Sequence, residues 1–180
     1  MDTTTIYSCY NETYLLNDGT HVNCEIMDTG GQEKFDALNR QYYQRADCCI
    51  LVYDITDLES FNQCETFYKQ EIINNCKKDI NVILVGNKTD KEKERKITNE
   101  QGANLAKENG YCFEETSCET NCNVANAFET IIIMTVNSIK KNEQNNMNTK
   151  IKLSKDNLIK DDSNANDKTK KNKNKKSVVK

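Results

Sequence analysis

The chain has 180 residues, enough for one domain and some excess, with a formal charge of −3, 36% hydrophobic residues and nine cysteines. That hydrophobic share, with a mean hydropathy of −0.83, is low for a uniformly packed domain, so part of the chain is expected to lie outside a core. Charge is uneven: residues 142–180 carry eleven Lys against five acids, leaving −9 on residues 1–141, and an acidic body with a basic appendage argues against a nucleic-acid-binding fold.

In chain order, residues 10–16 and 21–28 read as two strands, because Asn17-Asp18-Gly19-Thr20 places a strong Asp-Gly turn signal between alternating segments. Val22, Cys24 and Ile26 share one face of the second strand, which leads into Asp28-Thr29-Gly30-Gly31-Gln32-Glu33. Residues 34–45 are expected to form a short helix. The apolar run of residues 48–55 suits a parallel strand covered on both faces. Thr56 or Asp57 can cap the next helix, where Phe61, Cys64, Tyr68 and Ile72 recur at helical spacing as core. A strand at 81–86, a charged loop at 91–96, a helix at 99–109 and a strand near 111–114 follow. A last helix over 123–141 carries Val124, Ala127, Phe128, Ile131 and Thr135 on one side. Residues 1–141 thus form the expected domain, and the Asn/Lys-rich residues 142–180 an expected disordered tail.

The nine cysteines are scattered and odd in number, often within apolar runs such as Cys48-Cys49-Ile50-Leu51-Val52. Reduced, mostly buried thiols in a cytoplasmic protein are the expectation. No charged-then-apolar leader opens the chain and no apolar stretch approaches about 18 residues, so neither secretion nor membrane spanning is expected. The single His21 has no metal-ligand partner in sequence and reads as structural.

Three polar motifs stand directly after strands. These are Asp28-Thr29-Gly30-Gly31-Gln32-Glu33, Asn87-Lys88-Thr89-Asp90 and Glu115-Thr116-Ser117-Cys118. Helix-length segments separate them, so in a parallel sheet they would meet at its carboxyl edge, where open α/β folds bind ligands. An acid at a strand end, two glycines and an amide suit a nucleotide-phosphate site: the acid can hold magnesium through water, and the glycines let an N–H approach phosphate.

In order and spacing these motifs resemble those of small GTPases of the Rab and Ras branches: switch II, the guanine-reading motif and the third base-contacting motif. The resemblance covers about residues 4–140. It implies an α/β P-loop GTPase-like sheet with flanking helices, binding GTP or GDP with Mg2+, as a switch in vesicle trafficking or signalling. By that resemblance Thr5 is the switch I threonine, binding magnesium together with Asp28. Gly31 would offer its N–H to the γ-phosphate and Gln32 would position the hydrolytic water. Asp90 would accept from guanine N1 and N2, Asn87 would brace the base loops, the stem of Lys88 would cover the ring, Ser117 would be among the nucleotide-binding residues, and the Cys118 N–H would meet O6. Effectors, exchange factors and GTPase-activating proteins are the implied partners, at the cytosolic face of endomembranes.

Several departures bear on this. Tyr7-Ser8-Cys9-Tyr10 differs from the usual Rab sequence, Gly30 replaces an alanine, and Glu119 stands where a lysine usually packs beside the base. No Gly-x-x-x-x-Gly-Lys-Ser/Thr occurs in these residues, so the first strand, phosphate loop and first helix are expected to be missing, the strand from between 21–28 and 48–55. Losing three or more charge-assisted bonds would weaken nucleotide binding by about four to six decades. The last cysteine is Cys122, so no prenyl anchor is expected, only weak contact of the basic tail with anionic membrane. Three readings follow: an incomplete record of a working GTPase, a pseudo-GTPase binding module, and a decayed fragment.

Overall fold

The structure, a computed structural model, describes residues 7–29 and 36–171. Two units are compact, Met1–Val136 and Asn137–Lys180.

In the first unit, β1 (Tyr7–Leu15) and β2 (His21–Thr29) form an antiparallel hairpin with Tyr14 opposite Val22 and Ser8 opposite Asp28. The Asp-Gly turn closes it as expected, with Gly19 at φ +81° and Asp18 Oδ1 accepting from the Thr20 N–H at 2.9 Å. A positive φ is cheap only for glycine, and the carboxylate completes the turn.

Helix α1 (Asp36–Arg45) leads to β3 (Cys48–Asp54), β4 (Asn81–Asn87) and β5 (Cys112–Glu115), which pair in parallel in the order β3-β4-β5. The hairpin is a separate two-stranded sheet, so β2 and β3 share no ladder. This mixed α/β architecture, a parallel sheet with flanking helices, is that of a small-GTPase-like fold.

Alternation along the strands builds two cores. On one face Leu51, Tyr53, Val82 and Leu84 pack with Phe61, Cys64, Ile72, Leu105 and Ala106 from the helices that cross it. On the other, Ile83 and Val85 pack with Ala127, Ile131 and Ile132, and the hairpin lays Tyr14, Val22 and Cys24 against the same cluster. Each large apolar side chain so buried contributes about 1.5–3 kcal/mol. One expectation needs correction: β3 is not covered throughout, since Val52 is 51% exposed. It lies on the edge strand, hydrogen-bonded on one side only, and is absent from the second cluster.

The segment after β3 is helical in three pieces, α2 (Leu58–Gln63), a π turn (Cys64–Tyr68) and α3 (Lys69–Asn75). Asp57 is the cap, accepting from the Glu59 N–H. The expected charged loop is a 3-10 helix over Thr89–Glu94. Helix α4 (Asn99–Asn109) matches its expected bounds because a capping box of Thr98 and Gln101 starts it and Gly110, at φ +71°, ends it.

Helix α5 spans Val124–Lys171, well beyond residue 141. The chain contains no proline, and its last glycine is Gly110, so nothing in the sequence compels the helix to stop earlier. Among the described residues no helix is long and apolar enough to cross a membrane.

Candidate functional site

The site is assembled where the three parallel strands end. Asp54 is the register partner of Asn87, and Gly86 that of Glu115. The turns after β4 and β5 therefore start side by side, and each binds the other through backbone: the Thr116 N–H donates to Gly86 O at 2.9 Å and the Thr89 N–H to Thr116 O at 3.1 Å.

Side chains complete the clamp. Asn87 Oδ1 accepts from Thr116 Oγ1 at 3.1 Å and from the Cys118 N–H at 3.3 Å. Ser117, fully buried, donates from Oγ to Asp90 Oδ1 at 2.5 Å and accepts from the Thr120 N–H at 3.1 Å. An exposed carboxylate held by a buried hydroxyl is oriented before any ligand arrives, which lowers the ordering cost of binding. The 117–122 loop is closed by a reciprocal backbone pair between Ser117 and Cys122.

Lys88 has a left-handed backbone, φ 71° and ψ 39°, an uncommon conformation for a residue with a Cβ. Its ammonium lies 2.6 Å from Asp54 Oδ2, and Asp54 Oδ1 accepts from both the Thr56 N–H and Thr56 Oγ1 at 2.8 Å. Partial burial works to raise the Asp54 pKa, but the bonds from Lys88 and Thr56 outweigh it and hold the carboxyl below its usual range. The same partner raises Lys88.

Behind the clamp, Arg95 makes a forked pair with Glu115, Nη1 to Oε1 at 2.6 Å and Nη2 to Oε2 at 3.0 Å. It also bonds Glu92 and Ile97 O. Arg95 thereby ties the segment after the β4 turn to the start of the turn after β5. The hydrogen bond to Glu115 is the main cause that holds Arg95 above its ordinary pKa.

Of the residues singled out in sequence, Asn87, Lys88, Asp90, Ser117 and Cys118 are brought together. Two placements differ from the resemblance: the Cys118 N–H is already engaged by Asn87, and the Lys88 head is directed to Asp54. Asp28 is exposed near the end of β2, opposite Ser8. Thr5, Gly31 and Gln32 lie outside the described residues. Sequence reading missed Asp54 and Arg95. In sequence Asp54 is marked only as an acid ending an apolar strand; that it stands level with Asn87 is set by the register of β3 and β4.

A family model described as "Ras family" matches residues 2–137. The chain is 36% identical over 149 residues to GTP-binding protein ypt2 of Schizosaccharomyces pombe, covering 79% of this chain and 72% of that protein. It is 37% identical over 134 residues to Ras-related protein Rab-2B of Dictyostelium discoideum, covering 72% and 62%. To human Ras-related protein Rab-15 it is 36% identical over 124 residues, covering 69% and 58%. The chain thus spans less than two thirds of the length of the last two.

Proposed function

Because this chain belongs to the Ras family of small GTPases, with Rab-type relatives, we propose that its two base loops read guanine and that the protein is a GTP/GDP switch in vesicle-mediated transport. The observation that carries the reading is the Asp90 carboxylate, held at 2.5 Å by buried Ser117. A fixed carboxylate accepts a pair of adjacent N–H donors. Guanine presents that pair at N1 and N2, whereas adenine does not. Asn87 braces both loops, and Lys88 stands beside them as a wall with a cationic head.

Thr5, Gly31 and Gln32 take the roles that the resemblance gives them: ligation, contact with the terminal phosphate, and orientation of an attacking water. Among the described residues no three His, Cys, Asp or Glu side chains converge as a metal site. By the resemblance, Thr5 and exposed Asp28 would hold a magnesium ion alongside the nucleotide. When bound, that ion neutralises phosphate charge. Effectors, exchange factors and activating proteins would meet the switch segments at the cytosolic face of endomembranes, and the basic residues after 141 would add weak attraction to anionic lipid.

A second reading, a module that binds partners without tight nucleotide, is favoured by the Cys118 N–H, which is satisfied within the protein. Titration of the 180-residue chain with GDP and with ADP separates the two. GDP binding that is lost on Asp90→Ala, with ADP at least tenfold weaker, is expected from the guanine-reading site. Equal response to both nucleotides, or to neither, would overturn it.

A further inference from the structure

Among the bonds that shape the base loops, those of Asp54 have no part in the reading above. Asp54 ends β3 in register with Asn87, so its side chain arises beside the turn that carries Lys88. Its two oxygens are divided. Oδ1 is spent on Thr56, whose N–H and hydroxyl both reach it at 2.8 Å, and Oδ2 lies 2.6 Å from the Lys88 ammonium. Its backbone N–H donates to Ser60 Oγ at 3.0 Å, so the acid is pinned at both ends. The Asp54 side chain is 20% exposed and that of Lys88 46%, so the anchor is the better shielded partner.

Lysine is a poor choice for a left-handed backbone on propensity alone, and such a conformation persists only where surrounding contacts over-determine it. The backbone is held on either side of Lys88, where the Ile55 N–H donates to Asn87 O at 3.0 Å and the Thr89 N–H to Thr116 O at 3.1 Å, and Asp54 holds the head of the side chain. A four-carbon stem with both ends fixed is a wall of defined position, and a free one is not.

We infer that Asp54 is a positioning residue of the base site, which draws the Lys88 head to the end of β3 and thereby sets the lysine stem as one wall of the guanine pocket. This rests on the guanine-reading site proposed above. It adds a third strand end to a site otherwise built from the loops after β4 and β5. The pair is a point contact between a compact ammonium and one carboxylate oxygen, so its value lies in direction more than in binding strength.

The test is GDP affinity of the 180-residue chain by calorimetry, for the native sequence, Asp54→Asn, Lys88→Gln, the double variant and Thr56→Val. Asp54→Asn and Lys88→Gln are each expected to weaken GDP about tenfold, and the double variant no further than either, because both remove one wall. Thr56→Val, which removes one of the two bonds on Oδ1 and keeps the Thr56 N–H and the ion pair, is expected to weaken GDP by less than Asp54→Asn does. Lys88→Arg keeps a cation opposite Asp54 and is expected to retain most of the affinity, a comparison that serves even if Asp54→Asn loses its native amide spectrum. Native binding of GDP with Asp54→Asn unchanged overturns the inference alone, as does a double variant weakened by the full product of the two single effects. No GDP binding by the native chain overturns the guanine-site reading, and the inference with it.

Discussion

Tyr53 offers the sharpest test of how the sheet supports the loops after β4 and β5. Its ring is 1% exposed and packs edge-on against Phe61 at 4.9 Å, yet its hydroxyl has no hydrogen-bond partner among the described residues. That oxygen fills the space left by two glycines: a Cβ on Gly86 would lie 2.8 Å from it, and one on Gly102 would strike it and meet the Phe113 ring at 2.6 Å. A buried, unbonded hydroxyl costs about 1–3 kcal/mol. Tyr53→Phe removes that cost and leaves a void of one oxygen, worth about 0.3 kcal/mol at ~24 cal/mol per Å3. The net expectation is a gain of about 0.7–2.7 kcal/mol, or roughly 2–8 °C in Tm. Gly86→Ala should cost about 1–3 kcal/mol by overpacking. In a Tyr53→Phe background about half of that should return, because the ring carbon Cζ at 3.0 Å and Ile55 Cγ2 at 3.3 Å still crowd the new methyl. Urea unfolding of the four chains followed by circular dichroism measures all terms. A Tyr53→Phe chain less stable than native by 1 kcal/mol or more would refute the reasoning, since the hydroxyl must then be bonded.

The other predictions address charge and thiols. Arg95→Ala is expected to cost about 1.5–3 kcal/mol, because the Arg95 and Glu115 side chains are only 16% and 14% exposed and the largely buried Glu115 carboxylate would lose its partner; Arg95→Lys should recover little, as one ammonium cannot replace the fork. Ellman's reagent at about pH 8 should modify exposed Cys9, Cys118 and Cys122 first, and Cys49 and Cys64 only on unfolding, because burial pushes both of the latter up to about 12. Those two thiols carry raised folded pKa values, so their contribution is whole below about pH 8.5 and declines as pH rises from there towards 12. Asp54 has the opposite sign: lowered in the fold, its contribution is present above about pH 4 and lost as pH falls below it. Unfolding midpoints across pH should therefore show a plateau near neutrality with losses on both sides, and a midpoint that rises steadily up to pH 10 would contradict the thiol assignment.

Local chemistry made much of the fold legible. The Asp-Gly turn announced the hairpin, and the bounds of α4 could be read because Thr98, Gln101 and Gly110 act within one turn of their own helix. The loops after β4 and β5 were legible as strand-end turns because each motif follows an apolar strand closely. Asp54 and Arg95 were not, since their partners Lys88 and Glu115 lie 34 and 20 residues away and only the folded arrangement brings them together. Val52 was misjudged for a related reason: an apolar run cannot reveal which strand will be the edge. The bounds of α5 were misjudged because its later residues carry no stop signal.

The hairpin also has a history within synthesis. Its nine cross-strand pairs all fall within Tyr7 to Thr29, so its register can close as soon as that segment leaves the ribosome, on the microsecond scale of local hairpins. The residues that cover its inner face, Ala127, Ile131 and Ile132, are translated about a hundred positions later, a delay of about 5–20 s at cellular elongation rates. For that interval Tyr14, Val22 and Cys24 form a greasy, half-finished surface on a nascent chain, and it is then that a chaperone or a neighbouring nascent hairpin has its opening.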